Sequence, residues 1–323
     1  MQVMRYLEHL QSGQHEHCGE FVLDQDQIVA FALRHDPQPF HLEEEAAKSS
    51  IFGRLTASGL HVASAGRRLV LGTAMQDLRL LGSPGARRFQ MHRPVVPGMR
   101  VRLDHTVTAV EPIAIAPGVG LVSCTMRGFD DEGELVITIE DFMWVGSRAL
   151  DPEFDPTALV QSEQASISLG PLLATDSVDA TEAGETCDGQ IYLEDCPIGA
   201  TFVSGEHVLT AEGASAFQSD FDVPPLINEW HGPALTMPAL AEAFWLRSAN
   251  MGGTGLDLVR WPHMPHAGDR LRGKLRIAHT RPLRSRPGLG LVRADCVLVN
   301  QHSKVLATFA VTTFLRARAA LPD

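Results

Sequence analysis

The chain has 323 residues, 44% hydrophobic and 20% charged, a composition that argues against extended disorder and leaves room for two ordinary cores. Its 27 Lys and Arg against 39 Asp and Glu leave a formal charge of −12, which disfavours general attraction to nucleic acid or an anionic membrane. No apolar run reaches the roughly 18 residues of a membrane span, and the opening MQVMRYLEHLQSGQHEHCGE lacks a hydrophobic secretory segment, so the expected compartment is the cytoplasm.

Taken in chain order, HEHC puts His15 and His17 on one side of a strand, a metal pair by spacing but without a further ligand nearby, so no metal site is expected. Next comes RHDPQPFHLEEEAAKSSIFGRLTASG, residues 34–59, in which Asp36 and His41 flank two prolines. Asp followed by Pro is a good start for a β-turn. The same spacing also lets a carboxylate and an imidazole reach one substrate from a stiffened loop.

The segment SGLHVASAGRRLVLGTAM then shows apolar residues at helical spacing, with Ser58 at its start. Three alternating or β-branched runs follow, MRVRLDHTVTAVEPI, GLVSCTMRGFD and ELVITIEDFMWVG, and predict an antiparallel meander. Residues 151–180 mix Pro, Asp, Gln and Ser without periodicity and read as a surface connection. Beyond it TMPALAEAFWLRSANM predicts a second helix, with Thr236 near the start and Pro238 in the first turn, and RLRGKLRIAHT, GLVRADCVLVN and VLATFAVTTFLRAR predict a second meander.

This order repeats because the sequence does. YLEHLQSG at Tyr6 returns as YLEDCPIG at Tyr192, a shift of 192 − 6 = 186, whereas PGVGLV at Pro117 returns as PGLGLV at Pro287, a shift of 287 − 117 = 170. The shift falls by 186 − 170 = 16 between Pro225 and Gly268, so the second copy carries a deletion in the interval matching the stretch that runs on from His41. At the 186 shift Asp36 becomes Asp222 but His41 becomes Ile227, so one copy keeps the whole constellation and the other only part.

With Asp36, Pro39, His41 and the Ser58-Gly59 step in place, the chain resembles the MaoC-like hydratase family, whose signature is Asp, two residues, Pro, one residue and His, followed by a small helix and a Ser/His-Gly step. Gln38 and Glu43 depart from the Asn and Asp usual in that motif. The resemblance implies an α+β double hot-dog fold, two antiparallel sheets or one continuous sheet, each unit wrapping a central helix. It divides the chain into a catalytic unit at 1–150, a linker at 151–180 and a degenerate unit at 181–323. It further implies reversible hydration of trans-2-enoyl thioesters to (3R)-3-hydroxyacyl thioesters. Asp36, His41 and Gly59 would be catalytic, with Gly59 the backbone oxyanion donor at a helix N-terminus. Pro39, Ser58, Arg88 and Arg93 would bind substrate.

No cofactor is expected beyond the coenzyme A or acyl carrier of the substrate, and the expected partners are that acyl thioester and, as an option, a second copy of the chain. Alternative functions are a hot-dog acyl-CoA thioesterase and a non-catalytic acyl-CoA-binding protein. Arg67, Arg68, Arg87, Arg88, Arg93 and Arg100 concentrate positive charge, serving either coenzyme A phosphates or a solvated surface. The deletion allows an acyl tunnel toward Trp230 to Trp245, or filling by side chains such as Trp230 and Phe244. MGGTG near residue 251 lacks the spacing of a dinucleotide site, and five scattered cysteines read as ordinary thiols.

Overall fold

A computed structural model describes residues 4–156, 159, 190–213, 215 and 230–318. Most of the expected 151–180 connection, together with Cys187, Asp222 and Ile227, lies outside these described residues. The first half contains β1 (His15–Val22), α1 (Gln25–His35), α2 (Pro39–Leu42), α3 (Glu44–Lys48), α4 (Gly59–Gly72), β2 (Leu80–Met91), β3 (Arg100–Pro112), β4 (Val119–Phe129) and β5 (Leu135–Gly146). The second contains β6 (Thr201–Val203), β7 (His207–Val208), α5 (His231–Ala243), β8 (Asn250–Arg260), β9 (Arg270–Pro282), β10 (Leu289–Val299) and β11 (Val305–Arg316).

Both meanders form as their alternation predicts. In β3, Val101, Leu103, His105 and Val107 are buried while their neighbours along the strand are more exposed. α4 is buried along most of its length by Leu60, Val62, Ala63 and Val70, and contacts β1 and β3, while α5 lies against β9 and β11. Each half thus wraps its own apolar helix.

The two sheets are one. The strands run β1-β3-β4-β5-β2-β8-β11-β10-β9-β6, with β7 added beside β9, and the halves join where β2 pairs antiparallel with β8. Pairing these two edges removes exposed ladder groups that would otherwise invite aggregation. Gly85 and Gly255, related by 255 − 85 = 170, both sit at the junction at φ 147° and 142°. A Cβ at Gly85 would collide with the Val259 carbonyl oxygen, and one at Gly255 with the Phe89 carbonyl oxygen. The repeat also reproduces its end contacts. The Arg148 backbone N–H donates to Glu8 and its guanidinium covers Tyr6, and Arg318 does the same with Glu194 and Tyr192.

Two expectations are corrected. The second helix begins at His231, five residues before Thr236, so Pro233 occupies the first turn, where amide hydrogens have no intrahelical acceptor, and Pro238 lies inside the helix. The arginines do not form one cluster. Arg67 is buried in α4 with Nη1 3.6 Å from Asp141 Oδ2, Arg88 faces Asp257 at 3.5 Å, and Arg100 bonds Glu20 at 2.7 Å. An inward-facing helical position, not sequence proximity, decides the fate of Arg67.

Cys18, Cys124, Cys196 and Cys296 are buried free thiols. His15 and His17 share Asp104, with His17 Nδ1 2.8 Å from Oδ1, and no group of three or more metal-binding side chains suited to an ion occurs among the described residues. No described helix is long and apolar enough to cross a membrane.

Candidate active site

The loop geometry begins at the end of α1. Asp36 is its C-cap, at φ −157° and ψ 69°, because the following Pro37 disfavours helical backbone at the preceding residue. Pro39 then opens α2 at N1, where its missing N–H costs nothing, and this single turn carries Phe40 and His41 into the interior. Ser58 caps α4, its Oγ accepting from the Leu60 N–H at 3.2 Å and donating to Asp36 Oδ2 at 2.6 Å. The cap of the central helix therefore holds the carboxylate.

His41 is oriented from its other side. Its Nδ1 lies 2.7 Å from the Thr56 carbonyl oxygen. A carbonyl only accepts, so Nδ1 carries the proton and the neutral ring presents a lone pair on Nε2. Thr56 is itself held, its hydroxyl donating to the Val95 carbonyl at 3.0 Å, with the Ala57 N–H on the same oxygen at 2.8 Å. His41 Nε2 stands 3.6 Å from Asp36 Oδ2, and both residues are 5% exposed. Burial pushes the His41 pKa below its usual range, against the opposing pull of the Asp36 carboxylate and the Thr56 carbonyl. A neutral imidazole beside a carboxylate offers two acceptors for the two hydrogens of one water.

The pair opens on a cavity of about 260 Å³ that both halves line. The first half supplies Asp36, His41, Gly59 and the apolar Leu60 and Phe89, and the second supplies Met237, Trp245, Leu256 and Val311. Gly59 is the first residue of α4, so its N–H belongs to the helical turn that has no intrahelical acceptors. Trp230 and Phe244 do not line this cavity. They are buried in the core, Trp230 with its ring centroid 5.5 Å from Phe89 and 5.4 Å from Trp261.

Of the other expected residues, Ser58 touches Asp36, and Pro39 borders a neighbouring cleft rather than the cavity. Arg93 reaches the cavity rim while bonding Asp130 at 3.0 Å and facing Glu134 at 3.4 Å. Arg88 lies on β2, paired with Asp257 across the junction, and is not part of the cavity wall. Sequence reasoning missed Thr56, Asn250 and Thr313, since nothing local marks a backbone carbonyl that will accept from His41 or residues brought in from β8 and β11.

The sequence profile of MaoC-like domains matches residues 12–120. Residues 12–120 are a MaoC-like domain. Its matched stretch includes Asp36, His41, Ser58 and Gly59. The whole chain is similar in fold to a putative MaoC domain dehydratase of Chloroflexus aurantiacus, at TM-score 0.71 and 14% identity over 98% of each chain. It is also similar to a conserved hypothetical protein of Mycobacterium tuberculosis described as a double hot-dog, at TM-score 0.68 and 16% identity over 96% of this chain and 98% of that one. No curated protein sequence matches the chain. The MaoC-like domain with its second half is thus a double hot-dog, in its continuous-sheet form.

Proposed function

We propose that the protein hydrates trans-2-enoyl thioesters reversibly to (3R)-3-hydroxyacyl thioesters. The reading rests on one observation, the 3.6 Å approach of Asp36 Oδ2 and His41 Nε2 at the wall of a largely apolar cavity that also contains Gly59. A water between the two would donate one hydrogen to each and aim its oxygen at C3 of the substrate. As the C3–O bond forms, the C2=C3 electrons move toward the thioester carbonyl. The Gly59 N–H and the positive end of the α4 dipole would stabilise the oxygen that gains charge.

The proton leaving the water passes to the pair and is returned to C2, so the enzyme ends as it began and no redox group is needed. Because burial disfavours the imidazolium of His41, a proton received there is readily given up. Leu60, Phe89, Met237, Leu256 and Val311 give the cavity an apolar wall suited to an acyl tail longer than four carbons. Arg93 at the rim is the substrate-binding arginine favoured by position, for the coenzyme A or acyl-carrier end.

The test is incubation of the protein with a chain-length series of enoyl-CoA thioesters beginning at crotonyl-CoA. Loss of the conjugated absorbance without free thiol is the expected result. Asp36→Asn and His41→Ala should each lower turnover about 10²- to 10⁴-fold while circular dichroism is unchanged. Thiol release instead of hydration would identify a thioesterase and overturn the proposal.

A further inference from the structure

The carboxylate of Asp36 has a second oxygen, and its hydrogen bond begins a chain that crosses between the halves. Gln38 Nε2 donates to Asp36 Oδ1 at 2.8 Å, and Asn250 Nδ2 donates to Gln38 Oε1 at 2.5 Å. Asn250 Oδ1 in turn accepts from the Gly252 backbone N–H at 3.1 Å and from the Thr313 hydroxyl at 2.5 Å. Asn250 opens β8 and Thr313 lies in β11, so the chain links α1 to the far half of the molecule.

Its direction is set from both ends. A backbone N–H can only donate, so Oδ1 must be the Asn250 atom facing Gly252. A carboxylate oxygen can only accept, so the Gln38 NH2 must face Asp36. Between these ends neither amide can flip without setting two donors or two acceptors against each other.

The internal repeat supplies an independent observation. At the 170 shift the counterparts of Asn250 and Thr313 are Leu80 and Met143, since 250 − 170 = 80 and 313 − 170 = 143. The fold therefore accommodates apolar side chains at both positions, and the polar pair occurs only on the side that faces Asp36. A requirement of the sheet itself would have shown in both copies.

Building on the proposed hydratase reading, we propose that Asn250, backed by Thr313, is a positioning residue that orients Asp36 through Gln38. Rotation about the Asp Cβ–Cγ bond is broad and soft. Ser58 restrains Oδ2, and the relay restrains Oδ1, which together fix the plane of the carboxylate against His41. The second half then takes part in catalysis as more than a cover for the first. Without Asn250, the Gln38 amide is free to turn, and the carboxylate loses one of its two restraints.

The experiment compares Asn250→Leu, Gln38→Ala and the double variant, with Thr313→Val and Thr313→Ser as a second pair, on the enoyl thioester that the intact protein turns over best. A misplaced catalytic group can cost about 10²-fold, so Asn250→Leu and Gln38→Ala should each lower kcat about 10- to 100-fold with KM changed far less. The double variant should be no slower than Gln38→Ala alone. Thr313→Ser should keep the turnover that Thr313→Val loses.

Multiplying effects in the double variant, or a wild-type kcat in Asn250→Leu, would overturn the relay while leaving the hydratase reading standing. An intact protein without hydratase activity would instead sink that reading, and a crystal structure of Asn250→Leu then decides the relay. The Gln38 amide should have left Asp36 Oδ1, and an unchanged Gln38 and Asp36 would refute the positioning role. The same structure, or one of Thr313→Val if Asn250→Leu does not fold, separates loss of the relay from loss of the fold.

Discussion

Lowering the pH from 7 to 5 should destabilise this protein steeply, because three histidines besides His41 are buried in forms that resist protonation. Burial chiefly lowers the pKa of His35 to about 4, and those of His61 and His105 to about 3, from an ordinary 6.5. All three are at most 5% exposed. In the unfolded chain each takes up its proton as the pH falls through 6.5, while the folded chain does not. Stability is therefore full above 6.5 and is lost below it.

At pH 5 the unfolded form gains about 1.5 pH units of protonation free energy per histidine, or about 2 kcal/mol each and about 6 kcal/mol for the three. That is a large share of the total stability of a folded domain, which is on the order of 10 kcal/mol. Paired carboxylates lose their contribution mainly at lower pH, so the window between 7 and 5 isolates the histidines. The discriminating variant is His105→Leu, which installs what the repeat carries at Leu275, since 105 + 170 = 275. Urea denaturation at pH 7, 6 and 5 should show the wild type losing at least about 6 kcal/mol and His105→Leu about 2 kcal/mol less than the wild type. A flat profile, or parallel losses in the two proteins, would refute the argument that buried neutral imidazoles set the acid limit.

Gly255→Ala should cost about 2 to 4 kcal/mol, because its Cβ would meet the Phe89 carbonyl oxygen at a backbone angle that side chains avoid. Denaturation at neutral pH reads this, and an unchanged midpoint would mean that the β2–β8 junction is looser than its geometry. For the His41 pair, the acid limb of kcat/KM should lie below pH 6.5, since burial keeps the ring neutral down to lower pH. An inflection above 6.5 that disappears in His41→Ala would contradict it.

Much of the architecture is legible along the chain because it depends on local or repeated signals. Alternation marks both meanders, Ser58 marks the start of α4, and two constant shifts mark the duplication and the deletion in its second copy. The Asp36 and His41 pair is equally visible, since both side chains come from one proline-stiffened segment whose spacing is local. Pro238 fits a first turn only when the residues before it are left aside, and Gly232-Pro233 satisfies the same first-turn rule five residues earlier.

What the chain order does not reveal is which surfaces meet. Period-two alternation tells a strand which face is buried but not which edge it will pair, so the union of β2 and β8 into one sheet comes from tertiary packing. The same holds for Arg67, which reads as one of a basic cluster until α4 turns it inward to Asp141. It holds most of all for the Asp36 carboxylate. Gln38 and Asn250 are separated by 212 residues, and a directed hydrogen bond between two half-buried amides leaves no periodic trace in either neighbourhood. A motif built within one turn can be read from its own residues, whereas a site shared by two halves exists only once their sheets have joined.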